Sequence, residues 1–255
     1  MALARDYTAA MATLANATTA PEISAPGKLY PHAQYYFFAA MVVTWIGFSR
    51  SYFLRLGSVS VFHHIHGAIA GLWIASLIVQ PVLYQRGYMQ LHRRIGTIAA
   101  YVLAPLMVVF ASIVMHLMFS GSTGMPRMPG YVLGYLDLCS LIEFPLFVFL
   151  AVHYRRNVAL HARWIAGTVL ILLPPALVRI TLMLPFIHSF PARLNLSFGV
   201  IDVILVLLIL DDRRLGRIRA PYPVMLLMVL GIQASMGFAA GWQWWRSTAD
   251  WWGGI

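Results

Sequence analysis

The residues able to do chemistry gather around Phe62-His63-His64-Ile65-His66-Gly67, which places three imidazoles at the mouth of an apolar run from Ala68 to Leu83. An ionisable side chain at membrane depth usually faces the protein interior or a wet cavity and has a partner there. Other polar residues at the same depth are Ser112 and His116 closing the third apolar run, Asp137 and Glu143 in the fourth, Arg179 and His188 towards the end of the fifth, and Asp202 in the sixth. His63 and His66, spaced i,i+3, share a helix face from which His64 is rotated away. Ser112 and His116, spaced i,i+4, let a hydroxyl orient an imidazole.

These types suit several chemistries. His63, His66, His116 and His188 are candidate metal ligands, with Asp137, Glu143 and Asp202 as further ligands or proton acceptors. Such a set fits zinc or non-haem iron, and an open position would serve catalysis. Two imidazoles facing across a bundle, His66 and His116, fit haem b instead, with Arg179 or Arg193 for its propionates. The third arrangement is purely structural: an ion pair of Arg179 with Glu143 or Asp202, capped by histidines that bind nothing. An unpaired Arg inside a span would be costly. Arg179 is therefore expected to have an acid partner among Asp137, Glu143 and Asp202.

The elements that must position these residues follow from composition. The chain has 255 residues, 60% hydrophobic and only 10% charged, and a mean hydropathy of +0.75, which excludes an ordinary soluble domain. Its 18 Lys+Arg against 8 Asp+Glu fall largely in short loops between apolar runs. Anionic lipid headgroups, rather than nucleic acid, are the partner this implies. One cysteine, Cys139, rules out an intramolecular disulfide and a Cys-rich metal site.

Apolar runs near 30–49, 61–84, 95–119, 131–152, 164–187, 194–210 and 222–243 have about the ~20 residues a helix needs to cross hydrocarbon. With no water to satisfy backbone groups in lipid, helices are the economical solution. The expected fold is all-α: a seven-helix membrane domain over 30–245, preceded by an arm over 1–29 and followed by a Trp-rich tail over 246–255. Arg86, Arg93, Arg94, Arg155, Arg156, Arg163, Arg213, Arg214, Arg217 and Arg219 lie at one end. The positive-inside rule then places the N-terminus in the cytoplasm and the C-terminus outside. Trp242, Trp244, Trp245, Trp251 and Trp252 read as an outer aromatic belt.

A repeat is visible across spans 2–3 and 4–5. Arg86, Leu91, His92, Arg94 and Pro105 recur at one fixed offset as Arg155, Leu160, His161, Arg163 and Pro174, a parallel repeat of a helical hairpin. In each copy a proline is expected to kink the outward-running helix. His92 and His161 read as capping residues, as bonded to a carboxylate such as Asp211 or as headgroup contacts, ahead of ligands to an inner cofactor, and His153 reads as interfacial.

His66-Gly67 with Trp73 and Gln80-Pro81, Leu91-His92-Arg93-Arg94-Ile95-Gly96, Arg155-Arg156 with His161-Ala162-Arg163, the Pro-Ala-x-x-Arg ending at Arg179, and Asp202 with a closing Asp-x-Arg-x-x-Gly-Arg-Ile together resemble a group of bacterial multi-pass membrane proteins of no established activity. The resemblance covers about residues 60–222 and implies the span count and a bacterial inner-membrane location. Ser112-x3-His116 is more loosely similar to the zinc hydrolases of the adiponectin-receptor and alkaline-ceramidase type. Those carry a His-x3-His in their last span, where this chain has no His.

Three function classes remain. The first is a metal- or haem-binding membrane protein with a redox or oxidative role on a lipid-soluble substrate or quinone. A zinc-dependent membrane hydrolase using the same residues is the second, and the third is a non-enzymatic accessory subunit of a larger membrane complex or a small-solute transporter. Retinal-type pigment binding is excluded, because the only lysine is Lys28, before the first span.

Overall fold

The computed structural model describes residues 30–254; the arm read over 1–29 lies outside the described residues. The chain forms α1 (Ala33–Phe48), α2 (Val61–Gln85), α3 (Met89–Phe119), α4 (Arg127–His153), α5 (Val158–Thr181), α6 (Phe190–Arg214), α7 (Pro221–Ala239) and α8 (Gln243–Gly253), with a short 3-10 turn at Phe53–Ser58 and no strand among the described residues. Six of these, α2 to α7, are long and apolar enough to cross a membrane. α1 has 16 residues, roughly 24 Å at 1.5 Å each, so it falls short of the ~30 Å hydrocarbon layer. The run read as 30–49 is trimmed because Tyr30 takes a left-handed φ of 54° and Pro31 and His32 form a turn before the first helical residue.

Both copies of the repeated hairpin depart from regular α-helix at their proline. A π-helical turn, Ala99–Leu103, interrupts α3 just before Pro105, and α5 breaks at Leu173 before Pro174. Proline has no N–H to give its i−4 carbonyl, and an extra residue in the turn is one way to absorb that loss. The paired histidines also act alike. His92 Nδ1 lies 3.3 Å from the Gln80 carbonyl and His161 Nδ1 lies 2.8 Å from the Ala151 carbonyl, so each ties the start of one helix to the end of the helix before it. His153 is exposed and rests against Phe149 and Tyr154.

The arginines of the repeat diverge. Arg94 is exposed, whereas Arg163 is fully buried and forms an ion pair with Asp212 of α6. Its guanidinium lies 5.1 Å from the Tyr30 ring centre and 5.6 Å from that of Tyr222. Burial pushes the Tyr30 phenol above its ordinary range. Arg163 is thus a core residue, not one more solvated charge of the Arg-rich end.

The bundle centre packs around Trp73, whose Nε1 donates to Thr168 Oγ1 at 3.1 Å and whose ring meets Phe144 edge-on at 5.0 Å. α1 lies against α2 and the second half of α5. A Cβ on Gly47 would run into the Ala176 backbone, so this crossing requires glycine. Gly47→Ala should cost about 1–3 kcal/mol by overpacking. Gly71→Ala, in α2 with nothing near the added carbon, should leave detergent melting unchanged or raise it, since alanine is the better helix former.

The Trp-rich end is a helix, not a fringe. α8 packs on α3 and α4, and Trp244, Trp251 and Trp252 are exposed as an interfacial belt requires. Trp245 departs from the belt. It is 1% exposed, donates to the Tyr131 carbonyl at 2.8 Å and meets Phe119 edge-on.

Candidate functional site

α1 to α5 enclose a cavity of about 150 Å³ at the end of the bundle opposite the Arg-rich loops. Most of its wall is apolar, with Phe48, Ile74, Met107 and Phe144 among the lining residues. Its polar groups come from Thr44, His66, Asp137 and Ser140, and of these His66 and Asp137 are the ionisable pair. The helical register explains why they meet there. His66 lies in the second turn of α2, one turn above Ala70 and two above Ile74, which line the same wall. On α4, Asp137, Leu141 and Phe144 recur at i, i+4 and i+7 and present one face.

The His66 Nδ1 is buried and has no hydrogen-bond partner among the described residues. A buried polar atom left without a partner forfeits its hydration, a penalty of about 1–3 kcal/mol. A ligand or water offering the complementary group would recover that loss. Arg179 acts electrostatically on Asp137 but does not touch it.

The remaining candidate residues are placed elsewhere. His116 is exposed, with Nδ1 2.6 Å from the Trp252 carbonyl, so it fastens α8 to α3. Ser112 does not orient it, because its hydroxyl donates to the Val108 carbonyl of its own helix at 2.8 Å. His63 Nδ1 pairs with Ser60 Oγ at 2.8 Å, His64 Nδ1 pairs with Tyr52 Oη at 2.8 Å, and His188 is exposed. The four-histidine set His63, His66, His116 and His188 therefore does not converge. Among the described residues no group of three or more His, Cys, Asp and Glu is arranged to hold a metal ion. One imidazole, His66, and one carboxylate, Asp137, line the cavity, two ligands of the three or four that zinc sites use.

Of the acids expected to partner Arg179, Asp137 acts on it electrostatically without forming an ion pair among the described residues. The Arg179 Nε donates to Ser51 Oγ at 3.2 Å, its Nη1 donates to the Pro175 carbonyl at 2.8 Å, and its guanidinium stacks 4.3 Å from the centre of the Phe48 ring. Asp202 instead accepts from Gln233 Nε2 of α7 at 2.7 Å, with its other oxygen unpartnered. Glu143 is buried but does not line the cavity and forms no ion pair among the described residues. Arg193 donates to the Ile187 carbonyl. The ion pair found among the described residues is Arg163–Asp212, at the other end of the bundle.

Sequence reasoning missed α1 as a contributor. Thr44 and Phe48 close the cavity on one side, a position the sequence assigned to the sixth span. One signal was present: Thr44 interrupts the apolar stretch from Phe37 to Phe48.

No family model, no curated protein and no solved structure matches this chain.

Proposed function

We propose that this integral membrane protein, of the bacterial inner membrane by its resemblance, binds a small lipid-soluble molecule in the His66–Asp137 cavity and exchanges a proton with it. The observation that carries the reading is a mostly apolar cavity whose wall holds one carboxylate, Asp137, and one imidazole, His66, with a buried Nδ1 that has no partner among the described residues. Few precisely placed polar groups in an apolar wall are what small-molecule sites have in common. A cavity of about 150 Å³ suits a single ring, since an apolar cavity of roughly that size holds benzene.

A quinone headgroup is the case that fits the chemistry most closely. Its ring fills the apolar wall, its carbonyl oxygens need hydrogen-bond donors, and its reduction takes up protons. His66 can donate to such an oxygen or accept from the corresponding hydroxyl according to its tautomer. Asp137 would then take or supply the proton, as a general acid or base within reach of a bound ring. Reduction of the ring needs an electron partner in the membrane. A larger membrane complex would supply one.

Calorimetric titration of the detergent-purified protein with a benzoquinone carrying a short alkyl tail tests the reading. One site per chain is expected. His66→Ala and Asp137→Asn should each weaken binding about tenfold or more, the loss from removing a buried hydrogen bond to a polar ligand. His153→Ala should bind as the parent does. Equal binding in all three variants would remove the site.

A further inference from the structure

Beyond the ring cavity, the structure contains a second pocket whose lining points to a different class of ligand. Gly47, Arg50, Ser51, Arg179, Leu182 and Met183 enclose about 110 Å³ where the end of α1 meets the second half of α5. Two guanidiniums line it and no carboxylate does. Neither arginine has an acid within salt-bridge distance among the described residues.

From this geometry we propose that the pocket binds the phosphate of a phospholipid headgroup. Arg179 is fixed for the purpose. Ser51 and the Pro175 carbonyl each take one of its N–H groups and Phe48 lies against its plane, which leaves the other donors of its planar fork for a ligand. Arg50, exposed at the end of α1, supplies a second cation at the rim. Paired cationic donors of this kind match the tetrahedral oxygens of a phosphate.

The surroundings choose lipid over a soluble anion. The turn at Phe53–Ser58, between α1 and α2, exposes Phe53, Leu54 and Leu56. On the other side Leu182, which lines the pocket itself, and Phe186 are exposed to 55% and 71%. Leu182 in the lining, with exposed apolar residues a few positions along the chain from the lining residues, beside two guanidiniums is what a bilayer interface requires, with acyl chains against the apolar side chains and the headgroup in the pocket.

The test uses the full-length protein in a neutral detergent with three probes: dioctanoyl phosphatidylglycerol, dioctanoylglycerol and inorganic phosphate. Native mass spectrometry should show one tightly retained phosphatidylglycerol per chain and no retained dioctanoylglycerol. Arg50→Ala should weaken phosphatidylglycerol about ten- to hundredfold, the range for a lost charge-assisted hydrogen bond, and Arg50→Glu further still, with melting of the lipid-free protein unchanged because Arg50 is exposed. Arg179→Lys, which keeps the charge and loses the fork, should also weaken it. Unchanged affinity in Arg50→Glu would overturn the proposal, as would equal retention of dioctanoylglycerol. Displacement of the lipid by inorganic phosphate at comparable concentration would overturn it too, by making a soluble anion the occupant.

Discussion

Arg163→Ala is expected to destabilise the protein by about 3–5 kcal/mol, the cost of leaving one charge of a buried pair without its partner. Arg163 and Asp212 are both fully buried. The Arg163 Nε donates to the two Asp212 oxygens at 3.1 and 2.9 Å, Nη2 donates to Oδ1, and Nη1 donates to the Ala159 carbonyl at 2.7 Å. Asp212 also accepts the Arg219 backbone N–H at 3.3 Å, so its carboxylate holds α5, α6 and the end of the α6–α7 loop together. Asp212→Ala should cost a similar amount for the mirror-image reason. Replacing both by Met and Leu should cost far less than either single change, because the desolvation of two charges is then avoided. Arg94→Ala, at the equivalent position of the repeat but exposed, should stay within about 0.5 kcal/mol. Thermal unfolding in detergent checks all four, and single variants that melt with Arg94→Ala would show that the pair is solvated.

Trp245→Ala should be nearly as damaging, at about 3–5 kcal/mol for a buried Trp, while Trp251→Ala should cost little. The two residues are alike in sequence context and differ in packing. Trp245 fills the junction of Phe119, Tyr131 and Tyr135 and donates to the Tyr131 carbonyl. The same junction binds α8 through the Tyr131 hydroxyl, which donates to Asp250 at 2.7 Å. Trp251 is 74% exposed. Its contribution is to the lipid interface, so it should affect partitioning into bilayers more than melting. Equal melting of the two variants would return Trp245 to the aromatic belt.

The architecture was legible in the sequence because the bilayer imposes it. Run lengths and the scarcity of charge locate α2 to α7, and the prolines of the repeat mark both departures from regular helix. Which side chains face one another was harder to read. In a soluble helix, apolar periodicity shows which face points inward; here lipid and core are both apolar, so that signal is flat. His66 and Asp137 were found because ionisable groups are rare inside a span and draw notice individually. Asp202 was assigned to the same site by depth alone, yet its rotation about α6 turns it to Gln233 of α7.

Arg163 shows the opposite failure. It stands among so many arginines that it read as one more cytoplasmic charge, although Asp211-Asp212 in the same basic neighbourhood hinted that one of them was paired. Arg179 was expected to need a carboxylate. Asp137 acts on it only at a distance, and the direct contacts of Arg179 are Ser51, the Pro175 carbonyl and the Phe48 ring, all of them groups that a search for opposite charge passes over.

The most direct test of the central claim fills the cavity. Ala111 lines it, and Ala111→Phe would occupy the space a ring ligand needs at little cost in packing, since the added volume enters a void. Melting of the purified protein would be followed with and without the short-tailed benzoquinone, because a ligand that binds only the folded state raises its stability in proportion to occupancy. A rise in melting temperature for the parent and none for Ala111→Phe is the predicted result. An equal rise in both would place the ligand elsewhere and contradict the assignment of this cavity.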